Sequence, residues 1–300
     1  VTSLNPRLHI ETPFVESLPL SLLVDGHIML KMESAQPSGS FKLRGMGYAC
    51  RRYLEQGARR FIASSGGNAG LAVAYVGRHL GIPVHVILPE TTGEAARARI
   101  QLEGATIEVI GRTWREAHLA AQASLRPGDA YLHPFDDPLL WEGHATLIDE
   151  IAATGWRPHA VVVAVGGGGL LCGVMQGLER AGWHDVQLFA VETVGTASYA
   201  AALQAGRVVR LSQVSGIATS LATDSVCEAS LAWAQRRAIT SVIVTDEEAQ
   251  GAARRFLLDH RVAVEPACGA ALALPYLRPR ILHGIGKTLI VVCGGVNVIP

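Results

Sequence analysis

The sequence predicts an α/β protein with parallel strands, helices on both sheet faces, and two lobes. Three observations carry this. Short apolar runs alternate with helix-spaced segments along most of the chain. Three of those runs end in glycine loops, at 66–67, 166–169 and 294–295; in open α/β sheets ligands sit beyond the carboxyl ends of strands, so converging loops would line one site with backbone amides. Finally, 300 residues with 49% hydrophobic and 17% charged side chains hold more core than one short domain needs.

Prolines at 6, 13 and 19 make residues up to about 25 read as an extended lead-in, followed by a strand over 27–32. A glycine-bearing turn over 38–45 comes next, then helical spacing over 45–56 that Gly57 stops. A buried strand at 60–63, a small-residue loop at 64–70 and an Ala/Leu/Val-rich helix to Leu80 make half a β-α-β unit. The pattern repeats with strands at 84–88 and 106–110 and helices at 94–103 and 114–124. The turn-rich stretch 131–138 is the expected return to the first lobe. Beyond it the spacing predicts helices at 140–154, 170–180, 198–205, 246–259 and 268–277, with strands at 160–165, 187–192, 241–245 and 288–293.

Basic and acidic side chains balance at 26 each, which leaves no electrostatic footprint for nucleic acid or an anionic membrane and points to a small-molecule partner. The longest apolar run, 160–175, is broken by glycines and falls short of the roughly 20 residues that span a bilayer. No basic-then-apolar segment opens the sequence. Five cysteines without a Cys-x-x-Cys pair suit free thiols in a reducing cytoplasm. The 11 histidines show no helical metal-site spacing, so no catalytic zinc is expected.

Lys42 is one of three lysines, with Lys31 and Lys287, among 26 basic residues. A chain that otherwise relies on arginine yet places Lys between glycine-bearing turns has a use for an amine that can lose its proton and attack a carbonyl, as in a Schiff base; the plainer alternative is a surface lysine before a helix. Gly166, Gly167, Gly168 and Gly169, between a strand and a helix, suit a phosphate held by helix N-terminal amides, or only tight packing. Glu192 follows at about the distance of a dinucleotide fingerprint's acid, which keeps an NAD-binding reading open but leaves Lys42 unused. Ser64 to Gly70, with Ser65, Gly66, Gly67, Asn68 and Ala69 at its centre, offers two hydroxyls and several amides for a carboxylate or phenolate oxygen, with Asn68 alternatively a helix cap. Cys293 is either an inert core thiol or the group facing an aromatic ring nitrogen.

Residues 34–42 (Ser-Ala-Gln-Pro-Ser-Gly-Ser-Phe-Lys), 64–70 (Ser-Ser-Gly-Gly-Asn-Ala-Gly), 135–144 (Phe-Asp-Asp-Pro-Leu-Leu-Trp-Glu-Gly-His), 165–173, 264–271 (Val-Glu-Pro-Ala-Cys-Gly-Ala-Ala) and 292–295 (Val-Cys-Gly-Gly) together resemble the catabolic L-serine dehydratase and L-threonine deaminase family. That family lies within the fold-type II pyridoxal-phosphate enzymes, and the likeness runs from about residue 8 to 297. It implies two open, twisted parallel sheets flanked by helices, with the site in the cleft between a larger cofactor domain (1–40 with 137–300) and a smaller domain (41–136). It also implies a cytoplasmic homodimer that eliminates water and ammonia from L-serine, and from L-threonine, through pyridoxal 5′-phosphate.

By the same resemblance Lys42 holds the cofactor as a Schiff base, Phe41 packs on its ring, and Asn68 bonds the ring O3′. Gly166 to Gly169 with Leu170 cradle the phosphate, Cys293 faces the ring nitrogen, and Ser65 to Ala69 grip the substrate carboxylate. A monovalent cation such as potassium would sit at Glu192, with the Thr196 carbonyl as a further ligand, and the ring's second face falls near Ser220. Cysteine synthase, threonine synthase and serine racemase are the rival activities, disfavoured because they generally present a hydroxyl rather than Cys293 to the nitrogen. A cofactor-binding protein with weak activity is the remaining alternative. The sequence departs from the family in two places. Gly66 stands where Ala is common, which predicts a roomier pocket and a more mobile loop, and Val296 replaces a hydroxyl residue. The chain runs only seven residues past Cys293, which predicts no appended regulatory domain.

Overall fold

Proline at the first turn of a helix removes a donor that would be unpaired anyway, and Ser17-Leu18-Pro19 uses this. The computed structural model, which describes residues 7–295, opens with strand β1 (Phe14–Glu16) and helix α1 (Leu18–Val24), whose first turn Ser17 caps by accepting from the Leu20 amide. The extended lead-in expected from the prolines is thus a strand and a helix. Strand β2 (His27–Lys31) and helix α2 (Lys42–Glu55) follow, so Lys42 is the first helical residue and not part of a loop.

The second sheet is built from β3 (Arg60–Ala63), α3 (Asn68–Leu80), β4 (Val84–Leu88), α4 (Glu94–Leu102), β5 (Thr106–Val109), α5 (Trp114–Ala123) and β6 (Asp129–Leu132). Its four strands lie in the order β5-β4-β3-β6, all parallel. β6 runs into the first two residues of the 131–138 stretch expected to be a plain connection; at four residues it is too short for its alternation to announce a strand. α6 (Pro138–Ala153), capped by Asp137, leads to β7 (Ala160–Ala164), α7 (Gly169–Arg180), β8 (Gln187–Thr193), α8 (Ser198–Ala205), α9 (Glu228–Arg236), β9 (Ile239–Val244), α10 (Asp246–His260), α11 (Pro266–Leu277) and β10 (Lys287–Val291). These strands form a six-stranded sheet, β1-β2-β10-β7-β8-β9, in which only edge strand β1 runs antiparallel. β7 is buried along its whole length, as its unbroken Ala-Val-Val-Val-Ala predicts for a central parallel strand.

Strand order sets the site. β2, β10 and β7 are neighbours, and so are β4, β3 and β6, so the loops leaving their carboxyl ends face one cleft. α2 is fixed beside that cleft by a buried charge cluster. Arg44, fully buried, donates to both oxygens of Glu33 at 2.7 and 2.8 Å and to both of Glu150 at 2.6 and 2.7 Å. Lys31 adds a contact to Glu150 at 2.5 Å and donates to the Thr12 carbonyl. The cluster ties the start of α2 to the turn after β2 and to α6. Val296 lies outside the described residues.

Candidate active site

The lysine turn is stitched to the last glycine turn of the chain. Ser40 and Gly294 form an antiparallel bridge, the Phe41 amide donates to the Cys293 carbonyl at 3.0 Å, and the Gly295 amide donates to Gly39 at 3.0 Å. These bonds aim Lys42 into a cavity of about 620 Å³ between the two sheets. Its amine donates to the Pro134 carbonyl and lies 5.0 Å from the centroid of the Phe41 ring. Burial lowers the Lys42 pKa from 10.5 to about 8, against the opposing pull of Cys293, Glu265 and Cys227. The amine therefore sheds its proton near pH 8 and not near 10.5, which the surface-lysine alternative does not provide.

Across the cavity, β7 runs through Gly166 into α7, whose first residue is Gly169. A Cβ on Gly167 would stand 2.3 Å from the Phe135 ring, and Gly168 holds φ 90°, so neither position admits a side chain without strain. What remains is a shallow cradle of amides at a helix N-terminus, with Leu170 buried behind it.

The loop after β3 supplies the third wall. Ser65, Gly66, Gly67, Asn68 and Ala69 all line the cavity, whereas Ser64 turns away to share a 2.6 Å hydrogen bond with the Tyr131 hydroxyl. Asn68 is not the cap of α3; that position is Gly67, without a side-chain cap. Its amide nitrogen reaches across the cleft to Ser220 Oγ at 3.1 Å and Glu265 Oε1 at 2.9 Å, and its Oδ1 is buried without a hydrogen-bond partner. Glu265, beside the start of α11, lines the same cavity; the sequence marked it within a motif but gave it no role.

Cys293 is buried and lines the cavity, and its hydrogen bond with Cys268, together with burial, pushes the thiol pKa well up. It stays a neutral SH. His133, packed edge-on against Phe135 at 4.6 Å, would be the obvious acid nearby, but its Nδ1 accepts from the Phe135 and Asp136 amides. Burial, with His118 and Lys42 adding to it, lowers its pKa to about 3, so it is a neutral imidazole without the imidazolium proton an acid would give.

Glu192 and Thr196 lie off the cavity lining. Glu192 Oε1 accepts from the Tyr199 amide at 2.7 Å and Oε2 from the Ala200 amide at 2.8 Å, and burial raises its pKa to about 7 despite those bonds. The Thr196 hydroxyl pairs with Thr193 at 2.9 Å. Among the described residues no group of three or more His, Cys, Asp or Glu side chains is placed to hold a metal ion, and no described helix is long and apolar enough to cross a membrane.

One expectation is corrected. Gly66 does not make the pocket roomier: a methyl there would lie 2.4 Å from both Thr92 Cγ2 and Thr92 Oγ1, so the space is already filled by a side chain from the loop after β4. The signal was invisible in sequence because it depends on how two loops pack.

The residues present fit pyridoxal phosphate. An amine of lowered pKa faces the cavity, a side-chain-free cradle at a helix N-terminus suits a phosphate, the Asn68 side-chain amide lines the cavity, and a neutral thiol lines it beside the lysine turn. Comparison with known proteins agrees. A human protein named L-serine dehydratase/L-threonine deaminase is 43% identical over 97% of this chain and 92% of its own. A mouse protein named serine dehydratase-like is 44% identical over 97% and 91%. The crystal structure of a fungal L-serine ammonia-lyase from Rhizomucor miehei superposes with a TM-score of 0.92 at 35% identity, covering 97% of this chain and 96% of that one. Residues 7–294 match the family described as pyridoxal-phosphate dependent enzyme, and the chain belongs to it.

Proposed function

We propose that this protein is an ammonia-lyase that converts L-serine to pyruvate and ammonia and accepts L-threonine, giving 2-oxobutanoate. The observation that carries the reading is a lysine of lowered pKa facing one cavity together with the 166–169 cradle, the 65–69 loop and a neutral Cys293. When bound, pyridoxal phosphate supplies an electron sink for a carbanion next to the substrate nitrogen. The protein's residues do the rest. Lys42 holds the cofactor and, once freed, takes the Cα proton. Ser65 to Ala69 offer amides to the substrate carboxylate, and Phe41 and Ser220 flank the ring from either side. Asn68, tethered by Glu265 and Ser220, faces the ring oxygen. Cys293, an uncharged weak donor, leaves the ring nitrogen unprotonated, unlike a carboxylate.

The test is formation of 2-oxo acid and ammonia from L-serine, L-threonine, their D-forms and O-acetylserine. Ammonia and 2-oxo acid from the L-hydroxy amino acids are expected. Cysteine formation from O-acetylserine and sulfide as the only turnover would replace this reading with that of a synthase.

The same reading divides the chain into a larger domain, 1–40 with 137–300, and a smaller one, 41–136, supported by the two sheets lying on either side of the cavity. A monovalent cation at Glu192 and Thr196 is supported by the burial of that carboxylate, which a cation would hold ionised. A homodimer is supported by exposed Leu18 and Leu22 on α1 and Leu258 on α10, elements whose ends meet through the Ser17–His260 hydrogen bond. Five buried, unbridged cysteines support a reducing cytoplasm.

Gly167→Ala is expected to weaken cofactor binding by at least about tenfold, ~1.4 kcal/mol, because its methyl must displace the Phe135 ring or the cradle. Titration of the cofactor-free protein, read by absorbance, checks this.

A further inference from the structure

We propose that Thr92 is a specificity-determining residue of this site, acting as a pair with Gly66 to set how large a substrate side chain is accepted; the substrate class rests on the lyase reading above. Thr92 sits in the loop between β4 and α4 and lines the cavity beside the 65–69 loop. Its methyl and hydroxyl both lie 2.4 Å from where a Cβ on Gly66 would be. The glycine is therefore the complement of the threonine: one residue gives up its side chain so that the other can occupy the space.

The position of Thr92 is held, not incidental. Its amide donates to the Pro89 carbonyl at 3.0 Å, and the Glu90 amide donates to Gly111 at 2.8 Å. Arg97, one turn into α4, donates to the Thr92 and Glu90 carbonyls at 2.8 Å each. A loop fastened at both ends cannot swing away freely from a methyl at 66. Among the described residues no hydrogen bond engages the Thr92 hydroxyl, while its carbonyl and amide are both used. A half-buried hydroxyl free at the wall of an amino acid site can bond a polar group of the substrate, and the adjacent methyl limits what that substrate may carry on Cβ.

The size and hydrogen-bonding roles separate by substitution in the holoenzyme. Thr92→Ser keeps the hydroxyl and removes the methyl; the ratio of kcat/KM for L-threonine over L-serine should rise about tenfold. Thr92→Val keeps the shape and removes the hydroxyl; KM for L-serine should rise about fivefold with a smaller change in kcat. Gly66→Ala should weaken L-serine binding, and Gly66→Ala with Thr92→Ala should recover most of the loss, so that the two changes are not additive. Binding is read independently of turnover by the change in cofactor absorbance on titration with each amino acid, and thermal unfolding of each variant shows that it is folded.

An unchanged threonine-to-serine ratio in folded Thr92→Ser, or additive effects of Gly66→Ala and Thr92→Ala, overturns the proposal even if the wild type is an active lyase. Should the wild type release ammonia from neither substrate, the lyase reading fails, and the titrations still decide whether Thr92 and Gly66 together select the amino acid bound.

Discussion

Lys42→Ala is expected to lower ammonia release from L-serine by at least about 10³-fold, since both the covalent hold on the cofactor and the base that takes the Cα proton are lost. Borohydride treatment followed by peptide mass analysis should label Lys42 in the wild type and nothing at position 42 in the variant. Retention of more than a tenth of the activity would refute the assignment. The variant should fold, because the amine's hydrogen bond is to the Pro134 carbonyl and the buried amine is a burden on the cofactor-free protein.

That burden has a sign. The folded pKa of about 8 lies below the unfolded 10.5, so between them the unfolded chain holds a proton that the folded one lacks. The penalty is fully present below pH 8 and is relieved as pH rises toward 10.5. Cofactor-free wild type should therefore gain stability across that window relative to Lys42→Ala, as measured by denaturant unfolding at several pH values. As pH rises through about 8 the wild-type amine becomes competent to attack, so the rate of covalent cofactor capture should climb up to that value and level off above it.

The largest stability loss is expected from Arg44→Met. Its guanidinium serves Glu33 and Glu150 together in a fully buried cluster. Removing it leaves two buried carboxylates with one cation, Lys31, which contacts Glu150, a loss of about 3–5 kcal/mol. The thermal midpoint should fall by roughly 5–8 °C. Arg44→Lys should not rescue this, because one ammonium cannot bond both carboxylates in the same planar fashion. Burial pushes the Glu150 pKa up, but the Arg44 and Lys31 bonds and charges outweigh it and hold it below 4.5. The stability it contributes is present above that value and is lost as pH falls through the lower folded one, so wild type and variant should converge in acid. A variant with an unchanged midpoint at neutral pH would show that the cluster contributes nothing net.

Much of this was readable in sequence, and the reason differs from element to element. The strands at 60–63, 84–88 and 160–164 and the helix to Leu80 followed from period and glycine placement, which are local properties. α1 was missed because Pro19 reads as a breaker unless the first turn is recognised from Ser17. α9 was not anticipated, its nine residues following a stretch, 206–227, that holds only a short 3-10 turn and interrupts the strand–helix alternation. At the site, the lysine, the glycine loops and Cys293 stood out by residue type. Glu265 and Thr92 did not, since neither a carboxylate before a proline nor a threonine in a polar loop is unusual alone.

The sequence by itself determined the chemical inventory: an isolated lysine, loops stripped of side chains at strand ends, free thiols, and a balance of charge that directs attention to a small ligand. Tertiary structure alone decided that β10 lies between β2 and β7, bringing Cys293 to Lys42, that Asn68 reaches Glu265 across the cleft, and that Thr92 occupies the space Gly66 leaves. Period and turn chemistry act over a few neighbouring residues, whereas these contacts join segments distant along the chain, and only strand order and loop packing fix how far apart they stand.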